Sequence, residues 1–319
     1  MLLGKYTFNS TFLSETILPQ YKGSTLRGAL GHALKRVVCN IPEMTCEQCL
    51  LAPQCAYVAL FEPDLSGKSL PDLNLMSAMA SPFVIEPPLT TKTQFSAGDS
   101  LAFNLILFGE TNDLLPYLIY AFENMGQMGL GKKVGGHRGQ FQLNEIINRG
   151  KVIYSPEKQC IQAPDPLECL DIHPISDPRS ISSIKIILET PLRFKMKGKV
   201  CKTLHFEHLM RVVLRRVSFL MACYGEKPLT LDFDHLIQQS KAVQMHDNQC
   251  RWFDWQRYSA RQDCRMNLGG ISGSVVYSGD LDIFLPFLLF CEKVHIGKQT
   301  SFGLGQFRLE YLTDLAFSG

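Results

Sequence analysis

His32 and Lys35 stand three residues apart in the segment STLRGALGHALKRVV, and both residue types can manage charge on a phosphate ester. An imidazole titrates near neutrality, so it can take a proton from a ribose 2′-hydroxyl or give one to a leaving 5′-oxygen. An ammonium beside it can hold the extra negative charge that gathers on the phosphate, a role open to Lys35 or to Lys22 in the preceding loop. Leu26, Ala29, Leu30, Ala33, Leu34, Val37 and Val38 recur with the helical period, and Ser24 is placed to cap that helix. His32 and Lys35 then fall opposite the apolar stripe, together with Gly28 and Gly31. A glycine costs a helix about 0.5–1 kcal/mol, so a pair on one face points to close approach of another backbone, either an RNA strand or a second domain. The plain alternative is an ordinary surface histidine.

A second constellation follows the helix. Cys39, Cys46, Cys49 and Cys55 read C-x6-C-x2-C-x5-C, four thiols within 17 residues. That is the pattern of a tetrahedral metal site, with zinc first and an iron–sulfur cluster second; four unrelated buried cysteines is the alternative. Four thiolates fill a zinc shell and leave no place for a catalytic water, so the expected metal is structural and holds the insertion. The other cysteines (160, 169, 201, 223, 250, 264 and 291) are scattered and read as small core residues.

Basic residues cluster although the net charge is only +2. Between Arg193 and Arg216 lie eight cations (Arg193, Lys195, Lys197, Lys199, Lys202, Arg211, Arg215, Arg216) against one acid, Glu207. In a continuous strand Arg193, Lys195, Lys197 and Lys199 would form a stripe on one face. Lys132, Lys133, His137 and Arg138 make a second patch inside GKKVGGHRG. Two such clusters in a nearly neutral chain favour a polyanion over a merely solvated face. The stretch WFDWQRYSARQ sets Arg257 and Arg261 among Trp252, Trp255 and Tyr258, which suits single-stranded RNA, although core packing is the favoured account of the two tryptophans.

An internal repeat supplies the elements that position these groups. GKKVGGHRGQFQL (131–143) and GKQTSFGLGQFRL (297–309) share G-K-x6-G-Q-F-x-L. Upstream, LLPYLIYAF matches FLPFLLFCE, with four fewer residues before the second Gly-Lys. In the second copy Gly297, Gly303 and Gly305 would let backbone amides approach a phosphate, with Lys298 adding charge. The first copy reads as a tight connection from helix to strand. His295, just ahead of the second loop, is a competing catalytic residue if that loop faces the ligand.

Strands 5–12, 101–109, 183–190 and 272–279 alternate or run apolar, and a helix is expected over His205–Tyr224. The expected architecture is α+β, two tandem ferredoxin-like (RRM-like) β-α-β-β-α-β domains with a cysteine-rich insertion in the first. The domains run 1–150 (insertion about 39–60) and 183–319, joined by a proline-dotted linker over 151–182; residues 62–100 read as an irregular excursion. The 319 residues, 45% hydrophobic and 19% charged, exclude a disordered chain. The apolar runs fall short of a bilayer span and the start does not read as a signal peptide, so a cytoplasmic protein without membrane contact is expected.

The segments YKGSTLRGALGHALKRVVC, TPLRFKMKGK, RYSARQ…GGISG and HIGKQTSFGLGQF together resemble the RAMP superfamily, and within it the CRISPR precursor-RNA processing endoribonucleases. The resemblance implies metal-independent cleavage of CRISPR repeat RNA, with 2′,3′-cyclic phosphate and 5′-hydroxyl ends and no catalytic cofactor. It implies a general acid/base histidine in or near the first helix, which selects His32, with Tyr21 and Lys35 beside it. Arg27, Lys132, Arg193, Lys195, Lys197, Lys199, Arg257, Arg261, Lys298, Gly303 and Gly305 are the expected RNA contacts. Further partners would be CRISPR effector subunits or a second copy of the chain. A catalytically silent RNA-binding subunit of an effector complex is the alternative reading.

Overall fold

The computed structural model describes residues 1–63, 81–162, 166–172, 181–227, 229–254, 256–259, 264–267 and 269–312. They divide into two compact units that part after Cys169.

In the first unit, β1 (Leu2–Phe12) is followed by α1 (Gly23–Val38), the short α2 (Ala56–Phe61), β2 (Phe83–Glu86), β3 (Ser100–Phe108), α3 (Leu115–Met128), β4 (Phe141–Asn148) and β5 (Lys151–Tyr154). The main sheet is antiparallel in the order β2-β3-β1-β4-β5, which is the ferredoxin-like arrangement with one strand added at an edge. Strict alternation in β1 turns Tyr6, Phe8 and Phe12 into the core. There Phe8 stacks on Phe103 of β3 with ring centroids 5.1 Å apart, and Phe122 of α3 meets Phe141 of β4 at 4.9 Å. Aromatic contacts thus join three strands to the helix that covers them.

The second unit repeats the plan. Here β6 (Ser183–Leu192), α4 (Phe206–Tyr224), α5 (Phe233–Ser240), β7 (Gln244–Asn248), β8 (Gly270–Ser278), α6 (Leu285–Val294) and β9 (Phe307–Tyr311) form a sheet ordered β7-β8-β6-β9. The architecture is two tandem ferredoxin-like domains, as the periodicity predicts.

The sequence repeat has a structural counterpart. α6 has 10 residues where α3 has 14, which accounts for the shorter spacing to the second Gly-Lys. Phe141 and Phe307 enter equivalent strands, each beside the first strand of its unit, and pair with Phe12 and Leu188. Gly131 presses against the carbonyl of Ile17, and a Cβ at Gly297 would stand 2.6 Å from the carbonyl of Arg193. In both copies the glycine thus lets the chain dock on the segment that follows the first strand.

Several expectations need correction. Ser24 lies inside the first turn of α1; the residue at its N-cap is Lys22, which is buried and donates from Nζ to the carbonyls of Gln20 (2.9 Å) and Thr90 (2.7 Å). Lys22 is therefore a structural cation, not one offered to a phosphate. The region 62–100 contributes β2, a strand buried along its whole length, which no alternation could reveal. Lys151–Tyr154 and Glu168–Cys169, within the expected linker, instead extend the first sheet through pairs with β4 and β1. The first glycine-rich copy is a β-hairpin, Leu130–Val134 against His137–Gly139.

Candidate functional site

Arg193 follows directly on β6, and Lys195 opens a tight hairpin in which Lys195 pairs with Val200 and Met196 with Lys199. Lys197 and Gly198 make its turn, with φ of 48° and 79°, the left-handed conformations that a two-residue turn requires. The expected single-strand stripe is therefore wrong. The chain reverses after Met196, so Lys195 and Lys199 lie on different strands and faces while all three lysines remain exposed. A lysine followed by glycine supplied the turn signal, which simple alternation ignores.

What replaces the stripe is a cluster assembled from three segments. The amide of Lys298 donates to the carbonyl of Arg193 at 2.8 Å, and this brings the second glycine-rich loop onto the end of β6. Burial first, then the charges of Lys195, Arg215 and Arg193, push the Lys298 ammonium below the ordinary lysine range. Burial does the same to Arg215 on α4. Around them, Trp252 is half-buried, with the Arg193 guanidinium 5.9 Å and the Lys202 ammonium 5.5 Å from its ring centroid. Arg193 also donates to the carbonyl of Gly269 at 2.7 Å, which fixes its direction. Cations held near one another in this way make a site for a polyanion. Arg215 and Lys202 belong to it through helix and loop placement that sequence spacing does not disclose.

Other cations of the same stretch are occupied. Arg211 forms an ion pair with Glu207 one turn away at 2.8 Å. Arg216 is buried and donates to the carbonyls of Val294 (2.8 Å) and His295 (3.1 Å), the open end of α6. In the first unit Lys132, Lys133, His137 and Arg138 are exposed on the projecting hairpin.

On α1, His32 is exposed and Gly28 beside it faces open space, since a Cβ there would meet nothing within 4 Å. Gly31 has a different reason. A Cβ on it would come within 2.8 Å of Phe61, so the close approach is made by α2 rather than by RNA or the second domain. Arg27 lies with its guanidinium 5.1 Å from the Phe61 ring and 5.8 Å from that of Phe83. The Lys35 ammonium is 5.2 Å from the Tyr57 ring. Tyr21, two residues ahead of the helix, has its phenol pushed up by burial; it can donate a hydrogen bond but stays protonated far above neutral pH.

His295 is fully buried at the C-cap of α6. It has no access to a ligand, and the competing catalytic assignment falls. Gly303 and Gly305 are buried as well; a Cβ on Gly305 would collide with the carbonyl of Ile296, and Thr190 donates to the carbonyl of Gly303 at 2.7 Å. These glycines shape the loop, while Lys298 supplies its charge. Arg257 lies in a strand (Gln256–Ser259) paired with Cys264–Asn267, but its side chain, together with Trp255 and Arg261, lies outside the described residues. Cys39, Cys46, Cys49 and Cys55 line one pocket, although among the described residues no three thiol, imidazole or carboxylate groups are close enough to hold a metal as they stand. Among the described residues no helix is long and apolar enough to cross a membrane.

Comparison with known proteins follows these two units. Residues 1–166 match the family model of the AF_1859 N-terminal domain, and residues 186–307 that of the CRISPR-associated endoribonuclease Cas6. An uncharacterized protein of Archaeoglobus fulgidus is 25% identical over 298 residues, 92% of each chain. Among solved structures, a Cas6 product complex shares the fold over 97% of this chain and 99% of the other, with a TM-score of 0.55 and 13% identity. Thermus thermophilus Cas6 gives 0.54 and 12% over 97% and 98%. A partial Cas6-RT-Cas1–Cas2 complex gives 0.58 and 15% over 98% of this chain, which spans only 46% of that longer one. With more than half of its length matched by the AF_1859 N-terminal domain model, this chain belongs to that family; its second unit is similar to the CRISPR-associated endoribonuclease Cas6, and its tandem fold is that of the Cas6 structures.

Proposed function

We propose that this protein cuts CRISPR repeat RNA by general acid–base chemistry without a metal ion. The second unit holds the strand through phosphates, at the cluster of Arg193, Lys195, Arg215 and Lys298, and Trp252 offers a surface for stacking a base. His32 works on the reacting phosphodiester. His32 takes the proton of the 2′-hydroxyl as that oxygen attacks phosphorus, the bond to the 5′-oxygen breaks, and the 5′-oxygen takes up one proton in exchange, leaving a 2′,3′-cyclic phosphate and a 5′-hydroxyl. The observation that carries this reading is the exposure of His32 beside open space at Gly28, in contrast to the buried His295. Lys35 and Tyr21 flank it along the chain, as a cation for the developing charge and a hydrogen-bond donor.

The test is incubation of the protein with its host's repeat RNA in EDTA. Cleavage at one position, with cyclic phosphate ends and none on RNA carrying a 2′-deoxy nucleotide there, is the expected result. RNA that is bound tightly but never cut would favour a silent binding subunit instead. The Cas6-RT-Cas1–Cas2 assemblies that share this fold support CRISPR proteins as further partners.

A further inference from the structure

The segment from Cys39 to Cys55 is held by the backbone hydrogen bonds of short turns and by no buried side chain of its own. None of its 17 residues is buried. Ile41, Met44 and Leu51 line the pocket that the cysteines share yet stay largely exposed, and Leu50 has 93% of its surface exposed. The residues turned partly inward are Ala52 and the four cysteines. A chain that orders this many residues without burying an apolar side chain lacks the usual compensation for lost backbone entropy. Some other cross-link must supply it.

The thiols are placed for that purpose. Cys39 is the C-cap of α1 and Cys55 the N-cap of α2, so a link between them fastens the end of one helix to the start of the next. Cys46 and Cys49 flank a tight turn in which the Cys49 amide donates to the Cys46 carbonyl at 3.2 Å. All four line one pocket, with Lys35 and Tyr57 at its wall. The geometry points to a structural zinc ion bound by Cys39, Cys46, Cys49 and Cys55. Each thiol gives up its proton on binding, and the resulting doubly negative centre lies beside the Lys35 ammonium. Drawing the sulfurs to about 2.3 Å from one ion requires the loop to contract, and no buried side chain within it resists. Zinc is chosen over an iron–sulfur cluster because a redox-inert ion with a filled tetrahedral shell suffices for cross-linking. The ion would also seat α2, whose Phe61 covers Gly31 of α1 and stacks with Tyr57 at 5.4 Å.

The experiment uses the full chain, purified anaerobically without added metal. Elemental analysis should find close to one zinc per chain, and titration of the thiols with an organomercurial should release it. Cobalt replacing the zinc should show the intense visible bands of tetrahedral thiolate coordination. Cys46→Ser or Cys49→Ser should abolish binding, whereas exposed Cys160→Ser should retain a full equivalent. Where the loop variants fail to fold, the wild-type release titration and protease cleavage within the loop after zinc removal decide. Protein with neither zinc nor affinity for cobalt overturns the site, and iron with the colour of a cluster overturns the zinc assignment.

Discussion

The amide of Lys298 donates to the carbonyl of Arg193 across 2.8 Å, joining residues more than a hundred positions apart in the chain. The contact is possible because Gly297, with φ of 84°, carries no Cβ to strike the same carbonyl. Its consequence is electrostatic. The Lys298 ammonium comes to rest among Arg193, Lys195 and Arg215, where each cation makes the next costlier and an anionic strand relieves them all.

Removing these charges should therefore weaken RNA binding in a salt-dependent way. Lys195→Ala and Lys298→Ala should each reduce the slope of log affinity against log salt by about 0.7–0.9, one phosphate contact apiece. Filter binding over a salt series measures it. An unchanged slope would place the strand elsewhere, with the hairpin lysines Lys132 and Lys133 next to be examined.

The depressed Lys298 pKa sets a direction for pH. The folded protein releases this proton at lower pH than the unfolded chain does, so the unfavourable charge burdens stability on the acid side and is relieved as pH rises through the folded pKa. RNA acts oppositely, because a bound phosphate favours the protonated ammonium. Affinity should fall as pH rises from neutral into the alkaline range, and Lys298→Met should flatten that fall. Calorimetry in buffers of different ionisation enthalpy should detect proton uptake on binding by the wild type alone.

His32→Ala should slow cleavage by about 10²–10⁴-fold and leave RNA affinity within a few-fold. A general acid or base acts on the transition state, whereas one imidazole adds little to holding a polyanion. Single-turnover rates with end-labelled RNA separate the two quantities. Cleavage at the wild-type rate would remove His32 from the mechanism.

Glycine substitutions should sort by space. Gly305→Val and Gly139→Val should both lower the melting temperature sharply, since added side chains meet the Ile296 carbonyl and the Thr16 side chain. Gly28→Ala meets nothing and should stabilise α1 by about 0.5–1 kcal/mol. Thermal melts test both, and a loss of cleavage by a stabilised Gly28→Ala would show that the open face next to His32 is used by RNA.

The local code was legible wherever one element sufficed. Alternation in KYTFNSTF, the helical stripe from Leu26 to Val38 and the repeated G-Q-F-x-L together prescribe two β-α-β-β-α-β units. The same stripe places His32 outside, because a helix with one apolar face has a defined opposite face. Burial of β2 on both faces hid Phe83–Glu86 from any test of alternation. Tertiary packing then decided which polar groups remain available. Arg216 and His295 look like solvent-facing cation and base in sequence, yet α4 packs beside α6 and draws that guanidinium onto the helix's last carbonyls, sealing both residues inside. Gly31 is small because Phe61 from a separate helix lies on it, and Lys298 joins Arg193 because two distant loops share a hydrogen bond. Periodicity carries the orientation of a residue within its own element. The partners brought to it by other elements depend on contacts far apart in the chain, which no local pattern encodes.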